Sequence, residues 1–227
     1  MRISLPGLRL VLITMVATLL ISLPLKAAQA QTKKDPAASA IALMPFWLGG
    51  PTPELSREKK TALDCTLEEL CYLEGDPLEN AGVIMTELTH DELKKQYPDK
   101  VVPLVKAEYA YTLTDKEKTD TLRAIAVRFG RQLEVEHVLA GTLWRYRERV
   151  GGAFGAETPA SVGFALFLVS VEDGSILWSS TFDKTQTALT ENLFDVGLFF
   201  KTGIKWVTAA ELATYGAGKL LKDLPVK

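Results

Sequence analysis

The chain has 227 residues, of which 47% are hydrophobic, and its formal net charge is −2. This length fits one domain, or one domain with added helices. A mildly acidic chain argues against nucleic acid, whose binding proteins need a basic face, and it gives no electrostatic attraction to anionic lipid.

A secretory signal is predicted over residues 1–30. The segment has basic residues near its start, an apolar run over residues 10–23 and the small-residue sequence Ala28-Gln29-Ala30 at its end. The run is shorter than the roughly 20 apolar residues that span a bilayer. We therefore expect the chain to leave the cytoplasm with cleavage after Ala30. The alternative is an uncleaved N-terminal anchor.

The rest of the chain is predicted to be a flexible lead-in over residues 31–39 and a single domain over 40–227. Loss of Arg2, Arg9 and Lys26 with the leader changes the net charge from −2 to −5. No cysteine follows the apolar run at a cleavage site, so the sequence does not predict a lipid anchor. Export favours binding, assembly and hydrolysis over chemistry that depends on ATP or other cofactors.

A buried strand is predicted over residues 40–47, with Pro45 near its end. Glycine and proline over 49–53 then break the chain, and residues 54–78 form a long ordered loop. This loop carries Cys65 and Cys71, the two cysteines of the protein. In an oxidising compartment two thiols close in sequence usually pair, so a structural disulfide is expected. The alternative is a pair of free or reactive thiols. Zinc is disfavoured because no histidine lies nearby.

A helix is predicted over residues 79–96 and a short strand over Val101–Val105. The helix has one apolar face at helical spacing, formed by Ala81, Ile84, Met85 and Leu88. The sequence Thr114-Asp115-Lys116-Glu117 has the form of a capping box, which would start the next helix. Its buried stripe is expected to comprise Leu122, Ile125, Ala126, Phe129 and Leu133.

Three successive strands are predicted over residues 137–147, 160–171 and 176–182. Asp173-Gly174 tolerates the positive φ of the tight turn between the last two strands. Two helices follow, over 188–200 and 208–222, the second capped by Thr208 and Glu211. The order β-α-β-α-β-β-β predicts an α/β fold: a mixed sheet of about five strands with helices packed on it and two C-terminal helices.

Three of these segments resemble the envelope domains of the CsgG, LpoB and TolB amino-terminal type. Ile41-Ala42-Leu43-Met44-Pro45-Phe46 is similar to their opening I-A-V-x-P-F strand. Val138-Leu139-Ala140-Gly141-Thr142-Leu143 is similar to their V-L-x-G-x-x strand. The segment from Leu168 to Trp178 resembles their L-V-D-x-x-T-G-x-I-L-W hairpin. The resemblance covers roughly residues 40–187.

The resemblance implies a non-enzymatic protein of the periplasm or outer membrane that acts by docking onto an envelope protein, as an adaptor or activator. It implies no cofactor. The chain lacks the lipid-bearing cysteine of the lipoprotein members and the paired membrane-facing hairpins of a CsgG-like pore. The first alternative is a homo-oligomeric secretion or assembly component that associates peripherally with the outer membrane. The second is a periplasmic hydrolase.

The predicted helix over residues 188–200 is apolar on two sides. One stripe comprises Leu189, Leu193, Val196 and Phe200. Phe194 and Leu198 lie on nearly the opposite side, and Phe199 is their apolar neighbour. A helix that is apolar on two faces must be covered twice or present a patch. The second face is predicted to bind a partner, unless the final helix covers it.

Two further features are candidate contact sites. Phe154 lies in a glycine-rich segment that we interpret as a hairpin tip and not a phosphate loop, because a strand and not a helix follows it. Arg145, Arg147 and Arg149 alternate along a strand, so they would form a cationic patch on one face. The alternative is a solvated strand end whose arginines pair with Glu148 or Asp183.

No catalytic or metal-binding residues are predicted. The two histidines, His90 and His137, are far apart in sequence, whereas a triad or metal site needs such groups together with a nucleophile or further ligands. Trp144 and Trp178 stand among apolar residues and are interpreted as core.

Overall fold

The computed structural model describes residues 40–50, 61–68, 79–152, 155–186 and 206–226. The helices are α1 (Ala81–Gln96), α2 (Leu104–Leu113), α3 (Leu122–Gln132) and α4 (Ala209–Leu220). The strands are β1 (Ile41–Leu43), β2 (Trp47–Leu48), β3 (His137–Arg147), β4 (Val150–Gly152), β5 (Gly155–Thr158), β6 (Ser161–Ser170) and β7 (Ile176–Thr185). The predicted signal, the lead-in and the helix over 188–200 lie outside the described residues.

Five strands form a mixed sheet, as the sequence predicts. The order is β1-β3-β6-β7, and β2 pairs with β3 beyond the end of β1. Strands β1 and β2 run parallel to β3, whereas β3, β6 and β7 are antiparallel. Glycine allows the β6–β7 connection, where Gly174 has φ +72°.

Alternate residues of β3 enter two cores, because successive side chains of a strand point to opposite faces. Leu139 and Leu143 join a first core with residues of α1 and α4. Val138 and Ala140 join a second core with residues of α2 and α3. Helices therefore cover both faces of the sheet, which explains why β6 is buried along nearly its whole length.

The predicted strand over Val101–Val105 is wrong. Val101 forms a single parallel bridge with Ile41, and α2 begins at Leu104. Pro103 lacks the N–H that would continue the ladder, but its carbonyl accepts a hydrogen bond from the Ala107 amide at 3.1 Å. Its missing donor costs nothing at a helix start. The fifth strand is instead β2, the end of the apolar run over 40–48.

The capping box predicted at Thr114 is also wrong, although the stripe after it is right. Thr114 ends α2, and α3 begins seven residues later with Thr121 as N-cap, whose hydroxyl accepts from the Ala124 amide at 3.2 Å. Residues 115–120 form a turn in which the Glu117 amide donates to Asp120. The predicted stripe is buried: Leu122, Ile125, Ala126, Phe129 and Leu133.

The remaining described elements follow the predictions closely. Helix α1 begins two residues after the predicted start and ends at the predicted residue. Strand β3 has the predicted bounds, and β6 and β7 differ from theirs by one to three residues. At α4, Thr208 and Glu211 form the predicted capping box. On either side of residues 153–154, β4 and β5 pair as antiparallel strands. Among the described residues, no helix has the length and apolar character needed to cross a bilayer.

Candidate functional site

Helix α2 buries its two alanines and exposes three large apolar residues. Ala107 and Ala110 are buried, whereas Val105, Tyr109 and Leu113 are 78%, 66% and 56% exposed. The exposed three are spaced by four residues, so they form one continuous face, which we call the α2 stripe. This is the reverse of the usual amphipathic arrangement, in which the large apolar side chains face the core.

The two alanines explain how α2 lies on the domain. Their small side chains allow the helix to approach the second core closely, where they join Phe129. Tyr111 adds an edge-to-face contact with Phe129, with ring centroids 6.1 Å apart. The buried face of α2 is therefore narrow, and the remaining circumference of the helix faces outward.

Both ends of α2 are fixed by hydrogen bonds. At its start, the Val102 amide donates to the Ile41 carbonyl at 3.0 Å, and His90 Nε2 lies 3.1 Å from the Val102 carbonyl. At its end, the Thr114 hydroxyl donates to the Ala110 carbonyl at 2.9 Å. Lys116 Nζ donates to the Tyr111 carbonyl at 2.6 Å and lies 4.3 Å from the centre of the Tyr111 ring. The α2 stripe is thus held on a preordered helix, which lowers the entropy cost of docking.

The α2 stripe has the chemistry of a protein contact surface. Burial of its three partly exposed side chains on a partner would contribute about 3–6 kcal/mol before association costs. Lys106 follows Val105 and Glu108 precedes Tyr109, so at about 100° per residue these two exposed charges flank opposite sides of the stripe. An apolar centre with a charged rim is typical of docking sites.

A second concave feature lies between α1 and α4, on the other face of the sheet. It is a groove of about 590 Å³ lined by Glu92, Gln96, Ala210, Glu211, Thr214, Tyr215, Gly218 and Lys222. A hydrogen bond joins the two helices at Gly218, whose carbonyl accepts from Gln96 Nε2 at 3.2 Å. We call this feature the α1–α4 groove.

The predicted cationic patch is not a single exposed face. A register shift in β3 between Leu143 and Arg145 interrupts the alternation, and the strand ends at Arg147, before Arg149. Arg145 is 7% exposed and forms an ion pair with Asp183 across β6, the alternative that the sequence left open. Arg147 is exposed at the strand end.

The other predicted contact residues, Phe154, Phe194, Leu198 and Phe199, lie outside the described residues. Cys65 is buried beside the start of α3, where its carbonyl accepts from the Leu122 amide at 3.2 Å. Cys71 lies outside the described residues, so the disulfide stays a prediction. Trp144 is 8% exposed and belongs to the second core, and Trp178 packs partly buried against the first.

The surroundings of the two histidines indicate structural roles. His90 is buried in α1 and contacts the Val102 carbonyl, and His137 is the first residue of β3. Within the described part of the chain, no three His, Cys, Asp or Glu residues are grouped so that they could hold a metal ion.

Two strongly shifted ionisable groups also have structural causes. The Ser175 amide, with the hydroxyls of Ser170 and Ser175, lowers the pKa of Asp173 to about 2 in the β6–β7 turn. Burial, with the nearby Glu148 carboxylate, raises the pKa of Tyr146 to about 12. Neither shift places a proton donor or acceptor in a cavity with a nucleophile.

The α2 stripe is an exposed apolar surface that the sequence analysis does not predict. Its interpretation of residues 101–105 as a strand leaves no place for the helix that begins at Leu104. A signal was present: Val105, Tyr109 and Leu113 recur every four residues, and Ala107 and Ala110 lie between them on the other side.

Several solved structures are similar to this fold. A PelC dodecamer from Paraburkholderia phytofirmans is 16% identical with a TM-score of 0.45, and the match covers 84% of this chain and 90% of that one. Lipoprotein GNA1162 from Neisseria meningitidis is 15% identical with a TM-score of 0.43, covering 72% of this chain and 92% of that one.

LpoB from E. coli is 16% identical with a TM-score of 0.38, and the match covers 65% of this chain and 57% of that one. No family model matches the sequence. No curated protein matches it either. The similarities concern the fold alone.

Proposed function

We propose that this chain is a non-enzymatic protein of the cell envelope, exported to the periplasm, that acts by docking onto another protein. The observation that carries the proposal is the α2 stripe: three large apolar side chains exposed on a helix whose fully buried residues are both alanines. Exposure of such a face to water is unfavourable, so its presence favours a partner that covers it.

The leader sequence supports the location, and the surroundings of the histidines support a binding role over hydrolysis. His90 lies against a backbone carbonyl beneath α2, where its ring helps to fix the start of that helix. His90 thus helps to hold the helix that carries the α2 stripe. A hydrolase would instead need an imidazole that is accessible to substrate and next to a nucleophile.

Crosslinking from the α2 stripe in intact cells tests the proposal. A photoreactive amino acid at position 109 of the full chain is expected to form a covalent adduct with an envelope protein, identified by mass spectrometry. A matched control carries the same group at position 181, an exposed residue of β7. Formation of the adduct at position 181 but not at 109, or at neither, contradicts docking through α2.

Substitutions on and off the stripe test how strongly the yield of the crosslinked adduct depends on it. Val105→Glu, which places a charge in the contact, is expected to reduce the adduct from position 109 about tenfold, because a buried unpaired charge costs more than 1.4 kcal/mol. Thr119→Glu changes an exposed polar residue of the turn after α2, off the stripe, and serves as the control. Equal losses in the two variants would indicate a general effect of added charge and not a contact at the stripe.

A further inference from the structure

We propose that this chain fills its own α1–α4 groove with the segment over residues 187–205, which lies outside the described residues. The apolar stripe that the sequence predicts along this segment packs against α4. Helix α4 and the α2 stripe lie on opposite faces of the sheet, so this contact does not depend on the proposed docking role of α2. Three properties carry it: the lining of the groove, the points at which the segment leaves and rejoins the fold, and the lengths of the two.

The polar side chains on the α1 wall of the groove already have partners within the chain. The Glu92 carboxylate accepts from Lys95 Nζ at 2.6 Å, and Gln96 Nε2 donates to the Gly218 carbonyl at 3.2 Å. A polar ligand would have to compete with these contacts. The α1 wall therefore gives no preference for a charged occupant.

The α4 wall has the same property. The Thr214 hydroxyl donates to the backbone of its own helix at 2.8 Å, and Glu211 Oε2 accepts from the Thr208 amide at 2.8 Å. The Tyr215 ring packs edge-to-face on the buried Phe182, with ring centroids 6.3 Å apart. The accessible lining of the groove is mainly apolar. Burial of apolar side chains against it is thus the favourable way to fill the groove.

Both ends of the segment are held just before α4. The Val207 amide donates to Gln186 Oε1 at 2.8 Å, and both residues are buried. Residues 187–205 therefore leave and rejoin the fold at one place. Val207 belongs to the first core and comes three residues before Ala210, where the lining of the groove on α4 begins. The segment thus starts and ends beside the groove, whereas the α2 stripe can be reached only by passing an edge of the sheet.

The lengths of the segment and of the groove agree. At the rise of an α-helix, the lining from Ala210 to Lys222 extends about 18 Å, and the predicted helix over residues 188–200 extends about the same distance. Residues 201–206 can span about 20 Å when extended. A helix that runs along the groove in the direction of α4 can therefore rejoin the chain at Val207.

The segment supplies the apolar side chains that such a groove buries. Its stripe comprises Leu189, Leu193, Val196 and Phe200. This spacing of three and four residues forms a ridge that can pack between two helices. The same direction brings the C-terminal end of the predicted helix beside Lys222, and a cation at that end of a helix is favourable. Because the chain tethers the segment at both ends, its effective concentration at the groove is on the order of millimolar, which favours it over a separate partner.

Crosslinking from the groove tests this occupant. A diazirine analogue of lysine replaces Lys222 in the full chain, and a mixture of ¹⁵N-labelled and unlabelled protein is irradiated. Crosslinked peptides that join position 222 to residues 188–205 of the same isotope label are the expected result. The same analogue at position 219, an exposed lysine of α4 that does not line the groove, is the matched control and should give none.

The other outcomes of this experiment overturn the proposal. Peptides of mixed label would assign the groove to a second copy. Crosslinks from position 222 to other parts of the chain only, or none at all, would leave the groove without this occupant. None of these results bears on the α2 stripe, because crosslinking from position 109 tests that surface separately.

Two neighbouring substitutions test which side of the segment packs in the groove. Leu193→Glu places a charge on the stripe and is expected to reduce the crosslink from position 222 about tenfold, because burial of an unpaired charge is unfavourable. Phe194→Glu places the same charge on the opposite side of the predicted helix and should leave the crosslink unchanged. Equal losses in the two variants, or no loss in either, would contradict packing through the stripe. Urea unfolding of each variant verifies that the domain is folded.

Discussion

Gly130 is a residue at which packing opposes helix propensity. It lies in α3 with its Cα hydrogens against the second core, and an added Cβ would overlap Val171 Cγ2 and lie 2.7 Å from Val138 Cγ2. Alanine is preferred over glycine within a helix by about 1 kcal/mol. Overpacking of a well-packed core costs about 1–3 kcal/mol. The two branched side chains belong to strand and turn residues that cannot move away independently.

We therefore expect Gly130→Ala to lower the free energy of unfolding by up to about 2 kcal/mol, measured by urea unfolding. Gly218→Ala in α4 is the matched control. There the nearest atom to an added Cβ is Glu92 Oε2 at 2.9 Å, the end of a flexible side chain. This variant is expected to be neutral or slightly stabilised. If Gly130→Ala stabilised the protein, Val171 would have to move away from the added methyl group at little cost.

Asp173 gives the fold a dependence on acid pH. Its carboxylate accepts from the Ser175 amide at 3.0 Å and from the Ser175 hydroxyl at 2.8 Å, and these bonds lower its pKa from 3.8 to about 2. Because the folded pKa lies below the unfolded value, the ionised turn stabilises the fold above about pH 4. That contribution is lost as the pH falls towards 2.

The variant Asp173→Asn is expected to be less stable than the parent chain at neutral pH, and the difference should vanish between about pH 4 and pH 2. Urea unfolding at a series of pH values measures it. Ser175→Ala removes the hydroxyl donor but keeps the amide, so it should reduce the difference only in part. A difference that stays constant across this range would exclude Asp173 as its source.

At the scale of elements, the local sequence pattern predicts one helix start correctly and another wrongly. Thr208 and Glu211 form a capping box as predicted, with the Thr208 amide donating to Glu211 Oε2 at 2.8 Å. Thr114 and Glu117 have the same spacing but do not form one. The buried stripe of α3 begins at Leu122, so the helix packs on the second core only from that residue onward. Tertiary packing thus selected Thr121 as the cap.

Thr121→Ala is accordingly expected to lower the free energy of unfolding by about 1 kcal/mol, the usual cost of losing an N-cap. Thr121→Ser keeps the hydroxyl that accepts from the Ala124 amide and should restore most of the stability. Thermal or urea unfolding of both variants measures the effect. Equal losses in the two would assign the effect to the lost methyl group and not to the cap.

At the scale of the whole molecule, the proposed function depends on export. The small residues Ala28 and Ala30 are the positions that a signal peptidase reads. We expect the chain recovered from cells to begin at Gln31, which leaves 197 of the 227 residues. Ala28→Lys should retain the leader, whereas Gln29→Lys, between the two small positions, should still be cleaved. Intact mass measurement distinguishes these products. A parent chain recovered with all of its leader would favour an N-terminal anchor.

The sequence by itself determined the elements that have a strong local pattern. The apolar run over residues 137–147, the Asp173-Gly174 turn and the apolar stripe from Leu122 to Leu133 are each typical of one kind of element. These patterns were sufficient for the mixed sheet and for helices packed on it. Local patterns do not predict the α1–α4 groove or the Arg145–Asp183 pair, because both depend on contacts between residues far apart along the chain.

Only the tertiary structure decided the state of residues 101–113 and with it the candidate site. The four apolar residues that flank Pro103 over residues 101–105 are compatible with a strand or with a helix start. Strands β1 and β2 already occupy one side of β3, so Val101 could add only one bridge, outside Ile41. Packing on the second core then placed Ala107 and Ala110 inward. Which side of a short helix faces the solvent depends on the space beside it, and local sequence does not contain that information.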